Sequence, residues 1–574
     1  MYIQYSKSTI KGKTYSYPLL CNKYRENGKV KTKIIANLSK FPAELVLTME
    51  NVLKRGKDAL VYLKDIIITK SIDYGFVYVL MVIMKRLRIS DVLEKVLAED
   101  AKYVKLMILG KIITRGSKLS IFNWIQRNEA IGKQLDIDIK TLDLDKIYSV
   151  LGDLTNVQNR IENKWHIYHK KECKQVYLYD ITSSYFEGTQ NALGRLGYNR
   201  DKKIGKLQIV IGLITNEEGF PLKIEVFEGN TPDAVTVIEQ LQYIKNEYQA
   251  ENIIFVGDRG MRIRYNLEQM NEEEKAGIGY ITAMNIDDIR YLIKQEVLQL
   301  NMFSKDLAEI ENKDAAERYV LCNNPKLEKE HAFKRDSLRS KFEEELRLIQ
   351  LSYQNRQNKN KTNKEKLAQG HKNTRLVTEF NEKQIDGYKY RIRRCLEKYH
   401  MQSFYQIQID KDAFSIEFLF EEYAHAKALD GKYVIITNIK KERMPKEDVR
   451  QQYKNLQNVE HAFRDLKSAQ LEVRPIFHIN EDTTRGHVLV AMFAYAIIME
   501  IEKKVFPWLK LNNKSKNEQL SFRDIEEELK MIKLNILKLN ENYQEIKITE
   551  LTDRQQEIFD LLKIDRNELM ECSN

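Results

Sequence analysis

Three carboxylates, Asp180, Asp258 and Glu460, stand in sequence contexts that suit chemistry at phosphorus. Asp180 follows Val176-Tyr177-Leu178-Tyr179, a β-branched and aromatic run that predicts a strand with the aspartate at or near its end. Asp258 follows a second apolar run, Ile253-Ile254-Phe255-Val256, and Gly257. Glu460 sits within a helical stripe of Tyr453, Leu456, Phe463 and Lys467, all at spacings of three or four. Singly, each has an ordinary explanation: a turn aspartate, or a glutamate at a wet stripe edge paired with Arg464 or Lys467. Together, two aspartates ending adjacent strands and a helical glutamate can hold two divalent cations about 3.5–4 Å apart. Mg²⁺ or Mn²⁺ suits such a set, because Mg²⁺ takes oxygen ligands and keeps several waters. That pair of ions activates a water or a 3′-hydroxyl and stabilises the leaving oxygen of an in-line displacement.

The elements that must position these groups follow from the patterns around them. After Asp180 comes a basic loop with Arg195, Arg200, Lys202, Lys203 and Lys206. Next, Leu207 to Thr215 and Leu222 to Glu228 read as a hairpin turned at Asn216 to Pro221. The run LQIVIGLI is apolar at every position except Gln208, which predicts a sheet covered on both faces. Thr231-Pro232-Asp233 reads as a helix start with Thr231 as N-cap. A short helix is expected from about Ile263, and a fifth strand at Ile278 to Met284. The succession strand, strand, strand, helix, strand, helix, strand predicts an α/β, ribonuclease H-like mixed sheet flanked by helices. In that arrangement the first and fourth strands lie side by side, which brings Asp180 to Asp258.

The remaining chain divides by pattern. Residues 1–40 read as a small β-meander turned at Glu26-Asn27-Gly28. Residues 41–172 read as a mostly helical domain, either DNA-binding or a scaffold. The first part of the core spans 173–285, an insertion 286–430 and the second part of the core 431–510. Residues 511–574 read as helical, with capping boxes at Ser521 to Asp524 and Thr552 to Gln555. Inside the insertion, Leu338, Phe342, Leu346, Ile349 and Tyr353 predict a long amphipathic helix paired with one around Tyr388 to Tyr399. Trp124, Trp165 and Trp508 read as core residues.

Bulk properties narrow the class. The chain has 574 residues, which exceeds one core and predicts two to four domains. Lys and Arg number 94 against 83 acids, a net charge of +11 that fits an anionic partner and equally fits solubility alone. The five cysteines are scattered with no CxxC or Cys/His cluster, so neither a zinc site nor a disulfide framework is expected. The apolar runs Tyr74 to Met84 and Val488 to Met499 are too short to span a bilayer. Without a basic-then-apolar leader at the start, a cytoplasmic protein is expected.

The chain resembles DDE-type insertion-sequence transposases of the superfamily marked by a Tyr-Arg-Glu-Lys signature. VYLYDITSSYFEG (176–188), GFPLKIEVFEGNTPD (219–233), VGDRGM (256–261), YKNLQNVEHAFRDLK (453–467) and RPIFH (474–478) carry the likeness. It runs from the N-terminal meander to about residue 505. It implies Asp180, Asp258 and Glu460 as the catalytic triad and metal ligands, with Asp180 bridging both cations. Tyr453 and Lys467 match the signature and would grip DNA phosphates, as would Arg464 and Arg259. Leu456 stands where the signature has arginine, and Lys454 or Arg464 is the available substitute. The resemblance further implies cleavage of inverted-repeat ends, joining to target DNA, a homodimer in the synaptic complex and a nucleoid-associated location. A metal-dependent nuclease of the same fold and a DNA-binding relic of a transposase are the rivals. A carboxylate-pair glycosidase would need no metal, and the strand order disfavours it.

Overall fold

The computed structural model describes residues 1–10, 13–55, 67–170, 176–248, 253–261, 278–304, 306–312, 317–371, 382–468, 470–512, 521–540 and 543–571. They form two compact units. One comprises Met1–Ile161, Asp465–Val473 and Asp482–Asn574; the other comprises Glu162–Arg464 and Arg474–Glu481. The helix expected from Ile263 and the side chain of Trp508 lie outside what is described.

The first unit opens with β1 (Tyr2–Ile10), β2 (Lys13–Glu26) and β3 (Lys29–Asn37), an antiparallel meander. Asn27 and Gly28 turn it with φ of 49° and 78°. Successive left-handed residues match the twist of a tight hairpin, and Asn-Gly accepts them at least cost. Ile3 and Leu38 bury against Val46 of the helix Ala43–Arg55, while β3 is exposed at nearly every position. β4 (Ile67–Asp73) falls where the sequence pattern predicts helix. It pairs with Lys533–Asn540, which also pairs antiparallel with Tyr543–Ile548, so the tail is not wholly helical as expected. KLNILKLN alternates on either side of Ile536-Leu537, where the register shifts, Glu545 to Ile548 alternate as well, and a partner hundreds of residues away completes the sheet. Both predicted capping boxes form, at Ser521–Asp524 and Thr552–Gln555. The run Val488 to Met499 lies inside the helix Glu481–Asn512, and Val488 to Ile498 are all buried.

The second unit is built on a mixed sheet of eight strands. In chain order these are β5 (Val176–Tyr185), β6 (Gln208–Thr215), β7 (Pro221–Glu228), β8 (Ile254–Gly257), β9 (Gly279–Ala283), β10 (Leu307–Asn312), β11 (Glu317–Asn323) and a last strand, Lys432–Thr437. From one edge they run β10, β11, Lys432–Thr437, β9, β8, β5, β6, β7. β5 pairs antiparallel with β6 and parallel with β8, so the first and fourth strands are neighbours, as expected. Every residue of β6 is buried, which its unbroken apolar run demands.

Three local readings change. β5 continues five residues past Asp180, so that aspartate is mid-strand; it is the parallel partner β8 that stops beside it. The helix Asp233–Glu247 begins after Pro232, with no side-chain cap from Thr231. The insertion also returns to the sheet, because β10 and β11 extend its edge through Lys432–Thr437. Tyr319, Val320, Leu321 and Cys322 are buried there. The rest of the insertion is a 44-residue helix, Pro325–Ala368, packed against Glu382–Tyr399 through Phe342, Leu346, Ile349, Tyr353, Ile385, Tyr388 and Ile392. A hairpin of Tyr405–Ile409 and Phe414–Phe418 completes that subcluster.

Trp165 and His166, buried near the start of this unit, both have polar partners. Trp165 is buried and donates its indole N–H to the Pro221 carbonyl at 2.8 Å, whereas Trp124 of the other unit is half-buried. His166 stacks on Tyr248 at 3.7 Å and meets the Tyr177 hydroxyl at 3.1 Å. Burial, reinforced by Lys170 and His169, lowers its pKa from 6.5 to about 4. His166 therefore folds neutral, and the unfolded chain binds the extra proton. Stability should be full above pH 6.5 and fall as pH drops towards 4, by about 1.4 kcal/mol per unit at most from this group. Urea titrations of wild type and His166→Phe across that window measure the difference, and equal slopes would remove His166 as the cause.

Candidate active site

The β5–β8 register places Tyr179 opposite Gly257. One residue further, Asp180 stands beside Asp258, which immediately follows β8. Parallel pairing thus does what sequence distance hides. Asp258 is held locally: the Arg259 amide donates to its Oδ1 at 2.7 Å, and Thr282 of β9 donates to its carbonyl at 3.2 Å. Glu460 arrives on the helix Lys446–Lys467 and is exposed, as is Asp258, while Asp180 is half-buried. All three carboxylates line one cleft of about 920 Å³.

The charges in this cleft are coupled. The Asp180 carboxyl is pushed up to about 7, first by burial and then by the like charges of Asp258 and Glu460. The Ile181 amide and the Arg200 guanidinium oppose that rise. Tyr453 is pushed up as well, by burial and by the same two carboxylates, with Arg259 opposing. A carboxylate held against its own ionisation by two others is a place where a cation is stabilised. The donor chemistry therefore suits a hard divalent ion. Among the described residues no group of three or more His, Cys, Asp or Glu side chains is placed to hold a metal ion.

The expected DNA-contact residues separate. Tyr453 and Arg259 line the cleft with the carboxylates, and the Tyr453 ring lies 6.3 Å from that of Tyr433. Arg464 is exposed and Lys467 half-buried; neither is among the cleft-lining residues. Leu456 is buried and also lines the cleft, so an arginine there would carry its charge into an apolar position. Lys454 does line the cleft, which makes it the nearer substitute. Its neighbour His461 had a signal in the sequence, since 454, 457 and 461 repeat the helical spacing beside 453 and 460. Arg290, His331 and Lys432 also line the cleft and had no such signal, because each comes from a different element.

Residues 3–60 match the IS1634 family transposase, N-terminal domain. That likeness supports a transposase. No curated protein matches the chain. Among solved structures, a piggyBac transposase synaptic complex with hairpin DNA aligns with 75% of this chain and 70% of its own. Its sequence identity is 7% and its TM-score 0.32, a superposition too loose to bear on fold or activity. No described helix is long and apolar enough to cross a membrane.

Proposed function

We propose that this chain is a DDE-type DNA transposase with a ribonuclease H-like catalytic sheet, acting on the inverted-repeat ends of an insertion sequence. The observation that carries the proposal is the meeting of Asp180, Asp258 and Glu460 in one cleft. They come there from neighbouring parallel strands and a distant helix, in a chain whose first sixty residues resemble an IS1634 transposase domain. Asp180 with Asp258, and Asp180 with Glu460, are the pairs that would hold Mg²⁺ or Mn²⁺. Two such ions supply nucleophile activation and stabilisation of the leaving oxygen in phosphoryl transfer.

The chain's own groups do the rest. Tyr453, Arg259 and Lys454 line the same cleft and orient the phosphate backbone across the carboxylates. Lys467 and Arg464 act further along the strand, outside the cleft. A homodimer at paired transposon ends and a nucleoid-associated location belong to the same reading.

The test is a plasmid carrying the DNA that flanks the gene, incubated with protein and Mg²⁺ beside an EDTA control. Metal-dependent breaks at matching inverted repeats, with joined products, are expected. Breaks at those ends without joining would favour a nuclease of the same fold. Tight binding without breaks would favour a DNA-binding relic.

A further inference from the structure

The loop between β5 and β6 carries features that the cleavage chemistry leaves unused. Tyr198 is 82% exposed and Ile204 fully exposed, in a segment that also holds Arg195, Arg200, Lys202, Lys203 and Lys206. An exposed aromatic ring on a loop normally collapses onto the nearest apolar surface; here the backbone prevents it. The buried Gln208 donates from Nε2 to the Tyr198 carbonyl at 3.1 Å and to the Gly229 carbonyl at 2.8 Å. Gly197 packs so closely that a Cβ there would lie 2.2 Å from the Gly229 carbonyl. The Tyr198 backbone is therefore fixed while its ring stands in solvent, with the Arg200 guanidinium 5.7 Å from the ring centroid.

The next residues are equally constrained. The Asn199 side chain accepts from the amides of Asp201 and Lys203 at 2.9 and 3.3 Å and donates to the Lys203 carbonyl at 2.9 Å. Lys202 takes a left-handed φ of 58° at the apex. Arg195, Arg200 and Lys206 are paired with Glu228, Asp233 and Glu187. Lys202 and Lys203 are exposed and make no ion pair among the described residues, and the Lys203 ammonium lies 5.7 Å from the centroid of the Tyr185 ring.

Contacts tie this loop to the active site. Arg200 bonds the Asp233 carboxylate at 2.6 Å, and a Cβ built on Gly260, two residues past Asp258, would lie 3.4 Å from that same carboxylate. The Arg200 amide donates to Ser183 of β5 at 2.9 Å. Asp201 pairs with Arg474, and just beyond it Phe477 projects 71% exposed.

We propose that this loop is a binding platform for unpaired DNA: Tyr198 stacks on a base, and Lys202 and Lys203 hold the phosphates beside it. The proposal rests on the transposase reading above and adds to it the place where a strand leaving the cleft is held. An exposed aromatic face on a held backbone, with exposed lysines on the same loop, is the arrangement that takes single strands with little sequence preference. Duplex DNA keeps its bases inside and offers Tyr198 nothing to stack on. DNA is favoured over a protein partner because the free charges at this face are both positive.

The test measures binding by full-length protein in EDTA, so that no cleavage intervenes. The probes are a fluorescein-labelled single strand of mixed sequence, the matching blunt duplex, and the single strand carrying 2-aminopurine. Tyr198→Ala should weaken single-strand binding about 10-fold and abolish the 2-aminopurine quench, leaving duplex affinity unchanged. Tyr198→Phe should restore both, because stacking needs the ring and not the hydroxyl. Lys202→Ala should flatten the salt dependence by about 0.7 in log–log slope. Single-strand binding by Tyr198→Ala equal to wild type overturns the platform while leaving the transposase reading intact. Failure of wild type to bind either probe defeats that reading, and the platform with it. A change of oligomeric state in Tyr198→Ala, seen by sedimentation without change in DNA affinity, would make the patch a contact between copies and overturn the proposal.

Discussion

Asp180→Asn should abolish cleavage of transposon ends while leaving DNA binding intact and the protein more stable without metal. Three consequences come from one carboxylate. If Asp180 holds the metal ions as proposed, its loss would remove several kcal/mol of transition-state stabilisation, a rate loss of at least about 10³-fold. Binding in EDTA should hold or tighten, because a negative charge leaves the cleft proposed to accept phosphates. Stability should rise because Asp180 is held among like charges and pushed up to about 7, and asparagine keeps its shape without the charge. The fourth readout is thermal: Mg²⁺ should raise the melting temperature of wild type and not of Asp180→Asn. Asp258→Asn and Glu460→Gln should behave alike in cleavage. A melting temperature that falls in Asp180→Asn, together with lost DNA binding, would make the aspartate structural and sink the assignment.

Glu162→Ala should be among the most destabilising single changes in the second unit. Glu162 and Lys223 are both buried, 3.1 Å apart, and Glu162 also accepts the Ile224 amide at 3.1 Å. Burial pulls the Lys223 ammonium down, yet Glu162 and Glu225 more than offset it, so its pKa is raised overall. Removing Glu162 strands that charge with only Glu225, at 2.8 Å, and the Tyr243 ring, at 4.1 Å. Breaking a buried pair in this way costs about 3–5 kcal/mol, whereas replacing both partners by apolar residues is often neutral. Glu162→Leu with Lys223→Met should therefore recover most of the loss in chemical denaturation. On the alkaline side the lysine's contribution is fully present up to pH 10.5 and is lost as pH rises through its raised pKa. If the double variant is no better than Glu162→Ala, the cost lies in the lost Ile224 bond and not in the charge.

Local periodicity determined a good part of this molecule. β6 had to be buried throughout because its residues are apolar on both faces, and the stripe from Phe342 to Tyr353 had to find a partner helix. Asn27-Gly28 dictated its hairpin, and Ser521 and Thr552 their helix starts, because capping and turn energies act within a few residues. The carboxylates were legible only as candidates. What the chain could not state was pairing: that β8 stops beside Asp180 while β5 runs on, that β10 and β11 return to the sheet edge, and that Ile67–Asp73 is a strand joined to Lys533–Asn540. A strand's hydrogen bonds are satisfied by a partner that can lie anywhere in the chain, so neither its length nor its neighbours are written locally. The same reason decided the cleft. The spacing of Tyr453 and Glu460 set them on one helix face, but only the packed sheet brought Asp180, Asp258, Arg290 and Lys432 to meet them.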